Sequence, residues 1–145
     1  MPFTPIRLCI VYDNARGHCG RVVPRMKQLL EHRAFLVDTH EVGAGPLDIA
    51  PYRGLILGTP VIGLGLRGEG PSRKLRTFLE ALPDLDEHLV AIFCVYELRP
   101  GNTFDRMKNL VFEKGARFVA EQAFWVLQPH RDDHIIPAEC MVRIR

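Results

Sequence analysis

The residues best suited to chemistry lie in one short segment near the N-terminus, residues 13–20. An apolar run that ends at Tyr12 precedes this segment, and a segment with helical spacing follows it. Gly17 lets the backbone approach an anion, and the N–H groups and dipole of a following helix supply partial positive charge. Arg16 can add a guanidinium, which binds phosphate through two parallel hydrogen bonds. The segment predicts an anion-binding loop, and the alternative is a tight turn made by Asn14 and Gly17 with Arg16 in solvent.

Cys19 in the same segment is a candidate for redox or nucleophilic chemistry. It lies at the predicted helix N-terminus beside His18 and Arg16, and each of these features lowers a thiol pKa. The alternative, which we favour, is a small side chain packed against the anion. Cys9 and Cys94 lie within apolar runs, which predicts buried thiols, and the absence of a CxxC pair predicts that they are free.

Two later segments can complete a binding site. Residues 59–70 are rich in glycine and begin Thr59-Pro60-Val61-Ile62-Gly63, which predicts an exposed loop. Tyr96 and Glu97 stand at the end of another apolar run. The Tyr96 ring can stack on a planar ligand, and the alternative is a strand-end tyrosine with its hydroxyl in water. The aliphatic Ile62 can cover the other side of such a ligand.

Five strands and three helices are predicted to position these segments. Pro24 is tolerated only within the first helical turn, which predicts that the first helix begins near Gly20 or Arg21. Glycine and proline residues over 43–51 disfavour a helix, so we predict that no crossover helix connects the second and third strands. The strands are predicted over residues 7–12, 34–42, 54–58, 88–96 and 116–127, and the helices over 20–32, 73–82 and 103–114.

The alternation of these elements predicts one α/β domain, residues 1–145, with a parallel sheet. The wholly apolar run 54–58 predicts a central strand, and 34–42 an edge strand. The last strand exceeds the usual length, which predicts a bend. Loops that follow parallel strands meet at one edge of the sheet, so we expect the first, third and fourth loops to form the site together.

Composition and net charge argue against two classes of partner. The net charge is +2 without a basic block, and no apolar run approaches membrane-spanning length, so we predict neither nucleic acid nor membrane as a partner. No secretory leader is recognised, which predicts a cytoplasmic protein. Residues 128–145 show no helix pattern and are predicted to form a C-terminal arm that packs on the domain or on a second copy in a homodimer. The spacing of His130 and His134 in this arm is too weak a signal to predict a metal site.

Three segments resemble the flavodoxin-like family, over roughly residues 6–127. Residues 10–19 resemble its phosphate loop, with Gly17 on the glycine of the pattern. Leu57-Gly58-Thr59-Pro60-Val61 resembles the Gly-Ser/Thr-Pro turn that opens its second flavin loop. Val90-Ala91-Ile92-Phe93 and Gly115-Ala116 resemble its fourth strand and the end of the helix that follows. The sequence is also distantly similar to the flavodoxin-type domain of menaquinone-dependent protoporphyrinogen oxidases.

The resemblance implies a three-layer α/β fold with a five-stranded parallel sheet in the order 2-1-3-4-5 and non-covalent FMN. It implies electron transfer or FMN-dependent oxidoreduction, with a redox partner protein or a small-molecule acceptor such as a quinone; whether the protein is an enzyme stays open. The residues implied to bind FMN are Asn14, Ala15, Arg16, Gly17, His18, Cys19, Thr59, Pro60, Val61, Ile62, Gly63, Tyr96 and Glu97.

The sequence also departs from the family pattern. Asn14, Arg16 and Cys19 stand where the family places hydroxyl side chains, and no regular C-terminal helix is predicted. Flavodoxins that only carry electrons are usually strongly acidic, whereas this chain is slightly basic. The alternative function is therefore a flavodoxin-like module without FMN that serves as a protein-interaction or anion-binding subunit.

Overall fold

The computed structural model describes residues 5–61, 71–86, 88–97 and 101–126. A one-turn 3₁₀ helix, Ala15–Gly17, precedes the first α-helix. The α-helices are α1 (His18–His32), α2 (Arg73–Ala81) and α3 (Thr103–Glu113). The strands are β1 (Arg7–Tyr12), β2 (Leu36–Glu41), β3 (Gly54–Pro60), β4 (Leu89–Tyr96) and β5 (Arg117–Trp125).

The strands form one parallel sheet in the order β2-β1-β3-β4-β5. The predicted fold class is therefore confirmed, including the central place of β3 and the edge position of β2. No helix separates β2 from β3, as the breakers over residues 43–51 predicted. The division of the whole chain into one domain over residues 1–145 stays a prediction.

The core lies on both faces of the sheet. Side chains of β1 and β3 alternate, with Ile10 and Ile56 beneath α1 and Val11 and Leu57 beneath α2 and α3. Burial on both faces explains why these strands are almost wholly apolar. A Cβ on Gly58 would lie only 2.1 Å from Cζ of Phe93, so the glycine permits close packing of β3 against the neighbouring strand.

The first helix begins earlier than predicted. It begins at His18, and Pro24 lies inside it, so the prediction of a start near Gly20 or Arg21 is wrong. A proline in the interior of a helix costs about 3 kcal/mol because it lacks an N–H and crowds the preceding turn. The apolar stripe of α1 offsets that cost by packing on the sheet, through Cys19, Val22, Val23, Met26 and Leu30.

The last strand contains an irregularity that agrees with the predicted bend. Val90 pairs with Phe118, but Ala91 pairs with Ala120, so Val119 is an extra residue in β5. Such a bulge bends a strand and increases its twist.

Some predictions fall on other parts of the chain. Ile62, Gly63 and the C-terminal arm, residues 128–145, lie outside the described residues. Among the residues that the structure describes, no helix combines the length and apolar character that crossing a membrane requires.

Candidate functional site

The loops after β1, β3 and β4 begin side by side at the carboxyl edge of the sheet. The backbone N–H of Asp13 donates to the carbonyl of Gly58 over 3.1 Å, and the N–H of Val61 donates to that of Val95 over 2.9 Å. These bonds extend the strand pairing by one residue past β1 and β3. The starts of all three loops are thereby fixed relative to one another.

The backbone of the first loop folds sharply. Ala15 N donates to the Asp13 carboxylate over 3.0 Å, and Gly17 N donates to the carbonyl of Asn14 over 2.8 Å. Arg16 and Gly17 both have left-handed conformations, with φ of 61° and 73°. The left-handed region costs a non-glycine residue roughly 1–2 kcal/mol, so this backbone is strained at Arg16. Strain of this kind is concentrated at functional sites.

Asn14 caps the first helix from a distance in sequence. Its Oδ1 accepts a hydrogen bond from the backbone N–H of Gly20 over 2.7 Å. A Cβ on Gly20 would lie 2.6 Å from that oxygen, so the cap requires a glycine there. The N–H groups of Gly17 and Gly20 therefore both have partners within the chain and are not open to an anion.

Two N–H groups of the loop, those of Arg16 and Cys19, remain for a ligand. No hydrogen bond from the N–H of Arg16 is found within the described part of the chain, and Cys19 lies in the first turn of α1, where N–H groups lack a partner within the helix. The i→i+3 pattern of the 3₁₀ helix Ala15–Gly17 instead takes up the N–H of His18. Near the start of α1 the helix dipole favours negative charge. The turn predicted at Asn14 and Gly17 is therefore observed, and the anion-binding loop stays a prediction.

Glu97 links the third loop to the first. Its Oε1 accepts hydrogen bonds from Nη1 of Arg16 over 3.0 Å and from Nε2 of His18 over 3.1 Å. The bond from His18 lowers the pKa of the Glu97 carboxyl, and the Arg16 guanidinium lowers it further. The Arg16 side chain is 70% exposed, so the ion pair is screened by water and readily broken.

His18 also carries a buried atom without a partner. A carboxylate only accepts, so the bond to Glu97 requires the proton on Nε2 of His18. Nδ1 on the other side of the ring is buried and has no hydrogen-bond partner among the described residues. The Oγ1 of Thr103, at the start of α3, is likewise buried without a hydrogen-bond partner among the described residues. Unpartnered buried polar atoms are uncommon, and both of these stand at the beginning of a helix that follows a strand of the sheet.

Sequence reasoning missed Trp125, the last residue of β5. It pairs in register with Tyr96, and its indole Nε1 donates to the backbone carbonyl of Glu97 over 3.2 Å. Its side chain is exposed at the sheet edge. Its position near the end of the final apolar run was the available signal, since that end lies at the same edge of the sheet as Tyr96.

The second loop is anchored internally. The hydroxyl of Thr59 donates to the carbonyl of Pro60 and accepts from the N–H of Ser72, both over 2.9 Å. Ser72 in turn caps α2. Thr59 and Pro60 are buried, and only Val61 is partly exposed. The structure therefore gives Thr59 a role in shaping the loop, not an open face toward a ligand.

Cys19 is not a reactive thiol. It is fully buried in the core beneath α1, and burial raises its pKa far above the ordinary value. The less favoured of the two hypotheses for Cys19, a reactive thiolate, is therefore wrong, because desolvation outweighs the helix N-terminus and the neighbouring cations. Cys9 and Cys94 are buried and free, as predicted, and burial raises the pKa of Cys94 to about 12.

Metal ligation finds no support in the residues that the structure describes, because they contain no group of three or more histidine, cysteine, aspartate or glutamate side chains able to hold an ion. The histidines of the arm, His130 and His134, lie outside those residues.

No protein-family model and no curated protein matches the sequence. Solved structures do match. Oxidised flavodoxin 2 from Bacillus cereus superposes with a TM-score of 0.78 at 19% identity, over 96% of this chain and 99% of that one. Two-electron reduced flavodoxin from Megasphaera elsdenii gives 0.77 at 17% identity, over 94% and 98%. Fusobacterium nucleatum flavodoxin bound to flavin mononucleotide gives 0.63 at 18% identity, over 78% and 68%.

The strand order, the layer arrangement and these superpositions agree with one another. Identities below one fifth in these matches carry the likeness of fold and not of function. The chain therefore has the flavodoxin-like fold.

Proposed function

We propose that this chain binds FMN at the carboxyl edge of the sheet and serves in electron transfer. The observation that carries the proposal is the left-handed pair Arg16–Gly17, which directly precedes the N-terminus of α1. Strain and unpaired donors together favour an anionic group at this point. A structural neighbour is a flavodoxin bound to flavin mononucleotide, which supports the choice of anion.

The donor set fits the phosphate of FMN. The backbone N–H groups of Arg16 and Cys19 and the Nε2–H of His18 would hold it, and the Arg16 guanidinium would neutralise part of its charge. Tyr96 would cover one side of the flavin ring, with Val61 on the second loop. Bound FMN supplies one- or two-electron transfer. Ile62 and Gly63 stay predicted contacts beyond the described residues.

The roles of the remaining predicted residues follow from their positions. Asn14 holds the loop through its bond to Gly20, and Ala15 holds it through its bond to Asp13. Cys19 contributes its backbone N–H, with its side chain in the core. The redox partner that this function requires, a protein or a small-molecule acceptor such as a quinone, belongs to the same proposal, as does the pairing of two copies in a homodimer.

The test is the visible absorption spectrum of the purified chain before and after addition of FMN and desalting. Retained flavin absorbance is the expected result, with riboflavin retained less because it lacks the phosphate. Arg16→Ala is expected to weaken FMN binding about tenfold, the loss of one charge-assisted bond. Arg25→Ala is the matched control, because it removes the same charge from an exposed position on α1.

The second candidate function is a flavin-free module that binds a small anion or another protein. Several N–H groups of the loop, including those of Ala15, Gly17 and Gly20, and both of its basic side chains already have partners within the chain, which favours this candidate. A colourless protein that retains no FMN but binds inorganic phosphate at the loop would establish it and exclude the first.

A further inference from the structure

The carboxylate of Glu97 occupies the cationic side of the proposed phosphate site. One oxygen, Oε1, lies 3.0 Å from Nη1 of Arg16 and 3.1 Å from Nε2 of His18. The nearby carboxylate of Asp13 instead accepts from the backbone of Ala15. Among the described residues, Glu97 is therefore the acid that pairs with the basic side chains of the first loop.

The position of Glu97 is fixed from the other side of its backbone. Trp125 holds its carbonyl through the indole N–H, and the N–H of Val126 donates to the carbonyl of Tyr96 over 3.0 Å. The third loop thus begins from a fixed point. From there the Glu97 side chain reaches back to a loop about 80 residues earlier in the chain.

A phosphate held by the same loop would meet this carboxylate at short range. Two like charges 4 Å apart repel in water by an amount worth about fivefold in affinity, and by more where water is excluded. Nη1 of Arg16 and Nε2 of His18 both bond to the same oxygen of Glu97, so a phosphate that uses these two donors must take the place of the carboxylate. The internal carboxylate and an external phosphate are therefore alternatives at one place.

We propose that Glu97 is an intramolecular competitor for the anion-binding loop, so that a phosphate-bearing ligand binds by displacing its carboxylate from Arg16 and His18. The inference rests on the proposed function in taking FMN as the ligand, but its logic applies equally to inorganic phosphate. Glu97 makes the site less selective for phosphorylated over unphosphorylated flavin. The predicted direct contact between Glu97 and the cofactor is thereby replaced by a specificity-determining role.

The experiment compares Glu97→Gln with wild type by titration with FMN, riboflavin and inorganic phosphate. Glutamine keeps the size of the side chain and removes its charge. We expect FMN and phosphate to bind five- to tenfold more tightly to the variant and riboflavin to bind equally. Glu121→Gln is the matched control, because it breaks another exposed carboxylate–cation pair, Lys108–Glu121 at 2.9 Å, with the same change in net charge.

A second variant separates competition from a general loosening of the loop. In an Arg16→Ala background, Glu97→Gln is expected to give a smaller gain in anion affinity than in the wild-type background, because the bond to Arg16 no longer has to be displaced while the bond to His18 and the charge repulsion remain. Thermal unfolding of each variant shows that it is folded before affinities are compared.

Each outcome decides either the competition by Glu97 or the proposed FMN-binding function. If Glu97→Gln binds inorganic phosphate as tightly as wild type or more weakly, the competition is overturned, whatever the affinity for FMN. Tighter phosphate binding with no uptake of FMN by any variant supports the competition and overturns the proposed function. If neither FMN nor phosphate binds to wild type or variant, both are overturned.

Discussion

Two ends of the same strand carry similar ion pairs with different surroundings. At the amino end of β1, Arg7 Nη2 lies 3.0 Å from Asp38 Oδ2, and the hydroxyl of Tyr52 donates to the same oxygen over 2.7 Å. Beyond the carboxyl end, Arg16 and His18 share one oxygen of Glu97. Both carboxyl groups have a lowered pKa, mainly through the side-chain hydrogen bonds that they accept.

The difference lies in what surrounds each pair. Arg7 belongs to a regular strand, and its guanidinium stacks 5.1 Å from the ring centre of Tyr52. Tyr52 therefore contacts both members of the ion pair at the amino end and holds them in place. Arg16 has a left-handed backbone, and its neighbour His18 carries a buried Nδ1 that has no hydrogen-bond partner among the described residues. An ion pair alone does not mark a site. Backbone strain and incomplete hydrogen bonding beside it do.

The largest expected effect on stability comes from adding a methyl group at Gly20, where Asn14 of the first loop contacts α1. Gly20→Ala places a methyl group 2.6 Å from Asn14 Oδ1 and displaces the cap. We expect the free energy of unfolding to fall by about 2 kcal/mol, from the lost cap and the crowding. Urea denaturation measures it, with Asn14→Ala, which loses the cap without the clash, expected to cost about half as much. An unchanged midpoint for Gly20→Ala would contradict the capping geometry.

The two arginines are expected to respond to glycine with opposite signs. Arg16→Gly relieves the left-handed strain and should raise the free energy of unfolding by about 0.5–1 kcal/mol. Arg7→Gly removes a side chain from a regular strand and should lower it by about 1 kcal/mol. Both are measured by the same denaturation experiment. A loss of stability in both variants would show that the backbone at Arg16 is not strained.

Removing the hydroxyl of Tyr52 tests whether the Arg7–Asp38 ion pair stabilises the fold without affecting ligand binding. Tyr52→Phe deletes the bond to Asp38 and keeps the ring beneath Arg7, so we expect a loss of about 0.5–1 kcal/mol of stability. Affinity for FMN and for phosphate should stay at the wild-type value. A change in ligand affinity would contradict the separation of the two ends.

The smallest effect is a shift in titration. Because pairing lowers the folded-state pKa of Glu97 and Asp38, each contributes stability above its ordinary pKa and loses it as the pH falls through the lowered value. Saturating phosphate should raise the pKa of Glu97 toward its ordinary 4.5 and leave that of Asp38 unchanged. Carboxyl NMR titration with and without phosphate measures both values, and a Glu97 pKa insensitive to phosphate would count against displacement.

The elements were largely predictable because they follow from local patterns. Alternation and apolar runs located all five strands, and the predicted starts of α2 and α3 agree with the observed starts at Arg73 and Thr103. The strand order came from the resemblance of motifs and not from periodicity. The start of α1 was misjudged because the burial of its apolar stripe outweighs the local preference of Pro24.

The site was only partly predictable because its contacts join distant segments. Glu97 and Arg16 were both predicted as ligand residues, yet their bond to each other depends on the β1-β3-β4 order. The burial of Cys19 is likewise decided by packing on the sheet, which no neighbouring residue reveals. Trp125 became part of the site edge only through its pairing with Tyr96.

The placement of β3 between β1 and β4 has a consequence for folding. Every ladder in this sheet joins parallel strands through a crossover, so no pair of strands can form early as a local hairpin. The loop after β1 and the residue after β4 meet only when both strands have docked on β3. A partly folded chain that lacks β4 therefore has no complete site. A ligand at 100 times its dissociation constant would consequently protect the whole sheet against unfolding, by about 2.7 kcal/mol, and not the first loop alone.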